Sequence, residues 1–317
     1  MATYLSFSTM WAQQERWERD MAAFRRTVAS WGFTGIEVSH STDEAGLRLL
    51  MSAGEIPLTS LHAPTPMRRL ADGRHNGDTN LASVDEEERR MAVAETLRTV
   101  EFAASAGLDR IVVHLGGVGD MKDLVREPSG YVAPPEAELR RLFLEETATG
   151  EEVEALRDGL ARWRSAGAEA ALASARKSLR ELAAVSEAKG VALGLESRLH
   201  YHEIPHPDEA LALVSEYANE VCGYWHDVGH CEVQARLGMI DRASWFPKLS
   251  ARTIGSHLHD VDGLLDHRAP GNGDVDWGYI ASGLPAEALR VFEINQHEPD
   301  EAVAAAIGFL RERDVIE

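Results

Sequence analysis

Eight short apolar or β-branched runs recur along the chain, and segments of helical period separate them. That alternation constrains the fold more than any other feature, because successive strand–helix units lay down parallel strands with helices packed outside them. The runs cover 4–9, 35–39, 58–62, 110–115, 191–197, 221–227, 253–259 and 288–295. Between them, Val93, Leu97, Val100 and Ala104 form one helical stripe, and Leu172, Ala175, Leu179, Leu182 and Ala183 another. One interval, between the fourth and fifth runs, is too long for a single crossover helix. Its excess, about 118–167, follows Gly116-Gly117, carries Pro128, Pro134 and Pro135, then turns acidic and helical. We read it as an elaborated loop with one or two extra helices over the barrel mouth. No repeat, low-complexity tract or Pro/Ser linker divides the chain, so a single domain over 1–317 is expected. Eight units specify a (β/α)8 TIM barrel. A doubly wound open sheet is the alternative, but the first turn, Ser8 to Ala12, has no Gly-rich nucleotide loop, and no nucleotide cofactor is expected.

Composition narrows the partners. Fifty-two acidic against 32 basic side chains give a formal net charge of −20, and lysine occurs only at 122, 177, 189 and 248, which argues against nucleic acid. No apolar run approaches a membrane span, and the first residues lack the character of a signal peptide. Cys222 and Cys231 are the only cysteines, so a reducing cytoplasm is the expected setting. A small-molecule substrate and a homodimer complete the expectation.

Barrel enzymes carry their chemistry at the C-terminal ends of the strands. Here the second run holds Glu37 with His40 after it, the third ends in His62 and the fourth leads into His114. The fifth carries Glu196 followed by Arg198, the sixth Asp227 followed by His230, the seventh His257 and His259, and the eighth Glu293. Any one of these is more often a hydrogen-bonded structural residue than a ligand. Seven consecutive strands carrying such groups point to a shared centre. Crowded carboxylates resist ionising together, and a cation removes that repulsion. Imidazole and carboxylate donors without a thiolate set suit Mn, Zn, Co or Fe(II). Arg198 reads as a structural ion-pair partner.

The series Glu196, Asp227-x-x-His230, His257-x-His259-Asp260 and Glu293 resembles the xylose isomerase-like TIM-barrel superfamily of sugar phosphate isomerases and epimerases. That superfamily also includes the endonuclease IV class of apurinic-site repair enzymes (AP endonuclease family 2). The resemblance spans nearly the whole chain, with 118–167 the least matched part. It implies that Glu196, Asp227, His257 and Glu293 hold one divalent metal ion. It also implies that Glu196 and Glu293 exchange the proton of a sugar or polyol carbon through a metal-stabilised enediolate. His230 would contact a substrate oxygen or support the site from behind. The alternative is a multi-zinc phosphodiesterase, whose additional ligands match His62, His114, His230 and His267. It departs where Leu265 stands at the position of an aspartate ligand, with Asp266 displaced by one, which counts against a third ion. A non-catalytic, metal-free barrel is a third class. With one ion, His62 and His114 become substrate-facing groups or barrel caps.

For the substrate, the expected contacts are His202 in a crowded 199–206 loop read as a pH-sensitive surface, His259, and Trp225 as an apolar face with Trp11 and Trp277. His267 and Arg268, beside Gly271-Asn272-Gly273, are the expected phosphate-binding turn.

Overall fold

The structure, a computed structural model, describes residues 4–17, 20–52, 54–145 and 149–317. In chain order the elements begin β1 Leu5–Ser8, α1 Met21–Ser30, β2 Gly35–Val38, α2 Glu44–Ser52, β3 Leu58–His62, α3 Glu86–Ser105 and β4 Arg110–Val113. A second group follows: β5 Val125–Glu127, β6 Gly130–Val132, α4 Pro134–Glu145 and α5 Gly150–Lys189. The chain then returns to strand–helix alternation with β7 Ala192–Glu196, α6 Pro207–Val214, β8 Cys222–Asp227, α7 Val228–Arg236, α8 Phe246–Leu249 and β9 Thr253–Leu258. It ends with β10 Asp260–Asp262, β11 Leu265–Arg268, α9 Trp277–Gly283, β12 Leu289–Phe292 and α10 Asp300–Arg311. Eight strands close into a barrel in the order β1-β12-β9-β8-β7-β4-β3-β2, with every pair parallel.

All eight expected strands are present, seven of them shorter than the sequence pattern suggests. The ladder stops where the loops begin, so His114 and Glu293 sit just past β4 and β12 on the barrel rim. The long interval contains more than the expected one or two helices. It holds an antiparallel hairpin of β5 and β6, then α4, and its remainder is the front of α5 itself. That helix is 40 residues long, roughly 60 Å at about 1.5 Å per residue. Thr149 and Glu152 exchange capping hydrogen bonds at its start, and Gly190, at φ +68°, ends it in the left-handed conformation. Its buried stripe, including Ala175, Leu179, Leu182 and Ala183, faces the barrel wall.

Inside the barrel, Val112, Trp225, Leu289 and Val291 form a separate apolar cluster. A tryptophan fits there because both strands beside β8 place glycine against it. A Cβ on Gly255 would lie 2.2 Å from the indole, and one on Gly194 2.7 Å. Trp225 is therefore the floor beneath His257, whose ring centroid lies 5.3 Å from it, and not a substrate-facing surface. The other two tryptophans expected at the rim are core as well. Trp11 packs with Phe7, Trp17, Phe24 and Trp31, while the Trp277 indole N–H donates to buried Asp260.

Gly255→Ala should cost about 1–3 kcal/mol, because the added methyl overpacks a rigid interior. Denaturant unfolding of the two proteins measures this directly, and equal midpoints would show that Trp225 moves aside freely.

Candidate metal centre

The centre is built from residues that share one strand parity and therefore point into the barrel mouth. His257 is its pivot. Its Nε2 lies 2.9 Å from Glu37 Oε1, and Glu37 is itself held by the Ser60 hydroxyl at 2.7 Å. On the opposite side of the ring, Nδ1 lies 2.7 Å from Glu196 Oε1, 3.0 Å from Glu293 Oε2 and 3.4 Å from Asp227 Oδ2. All five side chains are buried. The four residues expected to hold one ion thus converge on a single imidazole nitrogen.

This arrangement is electrostatically incomplete without a positive charge. A neutral His257 donating through Nε2 would aim its Nδ1 lone pair at three carboxylate oxygens. Burial alone would strip His257 of its proton, yet Glu293, Glu37 and Glu196 hold its pKa well above the usual imidazole range. Burial likewise pushes the Glu196 and Asp227 carboxyls up, and the surrounding histidines outweigh it and hold both well below the usual carboxylate range. His62, Glu196, His257 and Glu293 each offer one ligand atom, all within 4.8 Å of one another, while Asp227 groups instead with His230, His259 and His267. The residues present fit a divalent cation.

The remaining histidines fall into two groups. His62 Nε2 is 3.4 Å from Glu196 Oε2, His114 Nε2 contacts the same oxygen, and Arg198 donates to it at 3.0 Å. Asp227, His230, His259 and His267 form a second set of convergent donors beside His62, Glu196, His257 and Glu293. His230 donates through Nδ1 to the Ser197 carbonyl at 2.9 Å, which leaves Nε2 facing Asp266 Oδ2 at 3.8 Å. His267 lies 3.2 Å from Asp266 and 3.6 Å from Glu293.

Asp266 was not expected here, because adjacent residues on a strand face opposite ways. His267 breaks the alternation with φ +55°, so Asp266 and His267 turn into the site together. Glu37 was visible at the end of β2 but not assignable, since its partner lies 220 residues away.

Several expected substrate contacts are committed elsewhere. His259 is fully buried: Nδ1 accepts the His267 amide at 2.8 Å, which leaves Nε2–H to donate to Asp227 at 3.0 Å. It orients Asp227 from behind. His202 is buried between Trp163 and His200, and the 199–206 loop is an interior segment rather than a pH-sensitive surface. Arg268 is paired with Glu298 and Asp262. In the expected phosphate-binding turn the Gly271 amide is claimed by the buried Asp260 carboxylate at 2.9 Å and the Asn272 amide by the Ala269 carbonyl at 2.8 Å, while Asp260 also accepts the Val275 amide at 3.0 Å. A cleft lined by His40, Gly77, Thr79 and Leu81 reaches the centre at His114. Burial, aided by His62, pulls the pKa of His40 down to about 3, so it stays neutral there.

Solved structures share this architecture. A D-tagatose 3-epimerase-like protein is 17% identical with a TM-score of 0.64, covering 98% of this chain and 96% of its own. D-Psicose 3-epimerase from Clostridium cellulolyticum, crystallised with D-tagatose, is 16% identical with a TM-score of 0.65, covering 98% and 99%. A Thermus thermophilus protein soaked with zinc chloride is 23% identical with a TM-score of 0.54, covering 99% and 98%. Comparison with curated protein sequences found no match. The family model for the xylose isomerase-like TIM barrel matches residues 25–313, and the chain belongs to that family.

Proposed function

We propose that this protein is a divalent-metal-dependent isomerase or epimerase of a sugar or polyol, folded as one domain. The observation that carries the reading is the convergence of Glu196, Asp227 and Glu293 on His257 Nδ1. The epimerases among its structural neighbours support it, as does the fit of the donor set to one ion. A bound divalent ion would polarise a carbonyl and its adjacent hydroxyl. Glu196 and Glu293 approach His257 from different strands, and in this reading they move the proton at the reacting carbon. His230, fixed by Ser197, presents Nε2 toward a substrate oxygen. Glu37 and His259 keep His257 and Asp227 in register.

The substrate in this reading carries no phosphate. Of the groups expected to receive one, Arg268 is paired with Glu298, His267 with Asp266, and the Gly271 amide with Asp260. Two buried free thiols, Cys222 and Cys231, suit a cytoplasmic setting.

A multi-zinc phosphodiesterase is the second reading, and one observation favours it. Asp266 Oδ2 is buried with only the His267 ring at 3.2 Å and the His230 ring at 3.8 Å facing it, an imidazole-and-carboxylate set that a second cation would suit. Elemental analysis after metal reconstitution separates the two readings, with one ion per chain expected for the isomerase and three for the phosphodiesterase.

With one ion bound, a panel of unphosphorylated ketoses in deuterium oxide should show exchange at a carbon next to the carbonyl. Glu196→Gln should lower that exchange about 10²- to 10⁴-fold while the fold persists. Near-normal exchange would remove Glu196 from proton transfer. Asp227→Asn should weaken metal binding at least about tenfold, and unchanged affinity by calorimetry would remove it from the ligand set.

Metal binding should also be linked to pH. In the ion-free protein His257 keeps a proton where the cation belongs, so binding expels it. Affinity should therefore fall as pH falls, by about tenfold per unit for one proton. Calorimetry in buffers of different ionisation enthalpy should report about one proton released per ion. A pH-independent affinity would contradict this linkage.

A further inference from the structure

The insertion that follows β4 does more than cover the barrel. Its segments close around the loop after β7 from three directions. Residues 116–118 run against 202–204, with the Val118 amide donating to the His202 carbonyl at 2.9 Å and the Ile204 amide to the Gly116 carbonyl at 2.9 Å. Gly117 permits this approach, since a Cβ there would lie 3.1 Å from Glu203 Cα. Trp163, on the front half of α5, packs against Gly119 and His202, and Arg164 donates to the Glu203 carbonyl at 3.3 Å.

The third contact carries charge. Glu136, in the first turn of α4, is fully buried, with Oε1 2.8 Å from His200 Nδ1 and Oε2 accepting the Tyr201 amide at 2.9 Å. His200 Nε2 donates to the Ser129 carbonyl at 3.2 Å, so the ring is fixed at both nitrogens by the insertion. The His200 amide donates to Glu203 Oε2 at 2.9 Å, and Glu203 Oε1 receives Arg198 Nε and Nη2 at 3.0 and 2.9 Å. Arg198 Nη1 then donates to Glu196 Oε2 at 3.0 Å. A path of charge-assisted hydrogen bonds, bridged at His200 by the residue itself and passing through half-buried Glu203 and Arg198, thus runs from α4 to the metal centre.

We propose that Arg198, held by Glu203 and braced from the insertion by Glu136, is a positioning residue that fixes the carboxylate of Glu196 at the metal centre. This rests on the reading of Glu196 as a metal ligand. Arg198 occupies Oε2, which leaves Oε1 turned to His257. Without the guanidinium, Oε2 keeps only the imidazoles of His62 and His114, and the carboxylate loses the one permanently charged donor that holds it. The three segments that hold Arg198's partner all belong to 116–164, so the insertion is part of the framework of the site.

Cobalt(II) tests this, because its visible absorption reports ligand geometry directly. Wild-type protein and Glu136→Ala, both verified as folded by circular dichroism, are titrated with Co²⁺. The proposal expects unchanged stoichiometry, an altered visible band and at least tenfold weaker binding in Glu136→Ala. Glu136→Gln, which keeps an acceptor for the Tyr201 amide, should recover most of the wild-type spectrum. Should Glu136→Ala fail to fold, Glu203→Gln interrupts the same chain from the barrel side and is expected to shift the band likewise. Identical spectra and affinities in a folded variant overturn the brace while leaving the metal centre intact. Failure of the wild type to bind Co²⁺ overturns the reading of Glu196 as a ligand, and the brace with it.

Discussion

The hydrogen bond between Glu37 and His257 Nε2 sets the terms for the rest of the structure. By fixing one nitrogen, it directs the other at Glu196, Asp227 and Glu293 and so defines where positive charge must reside. Such a cluster is costly in a buried site unless each charge is compensated. The fold meets that cost with a surrounding set of oriented donors: Ser60 on Glu37, His259 on Asp227, Arg198 on Glu196. Each of these removes one rotational freedom from a carboxylate that faces His257, so the cluster is held in one arrangement.

Beneath the centre, packing does what hydrogen bonds do around it. Trp225 fills the barrel interior only because Gly194 and Gly255 flank it, and the indole leaves His257 no room to drop. The same economy appears in the loop after β9. Asp260 serves as an internal anion, gathering the amides of Gly271 and Val275 and the Trp277 indole, and so orders a turn that would otherwise be a ready anion site. A Cβ at Gly273 would strike the Val261 carbonyl at 2.3 Å, so glycine there serves close backbone contact.

Barrel architecture, and the placing of acidic and imidazole groups at the strand ends, were legible in the sequence because both depend on short-range regularities. Strand–helix alternation gives the barrel, and the ordered motifs at the strand ends carry the family resemblance that singles out Glu196, Asp227, His257 and Glu293. What was not legible depends on contacts or backbone angles without a local signature. Asp266 enters the site through a left-handed His267, an exception to the usual alternation of side chains along a strand. Glu37 meets a partner 220 residues away. His259, His202, Arg268 and Trp225 do lie around or beneath the mouth, but each is engaged by the protein itself. The composition of a loop does not reveal whether its polar groups are already satisfied by one another.

That distinction also explains the insertion. Long loops over barrel mouths are commonly read as mobile lids, but this one ends in a helix of 40 residues whose rear half packs on the barrel wall. Trp163 and Arg164 lie on the same continuous helix as Leu179 and Leu182, so displacing the front half means bending α5 or undocking its core stripe. The backbone pairing of 116–118 with 202–204, and the burial of Glu136, add polar contacts that opening would leave unsatisfied. A segment restrained at both ends and through its middle is poorly suited to gating. It is well suited to holding the 198–206 loop, and through that loop one oxygen of Glu196, in a fixed place.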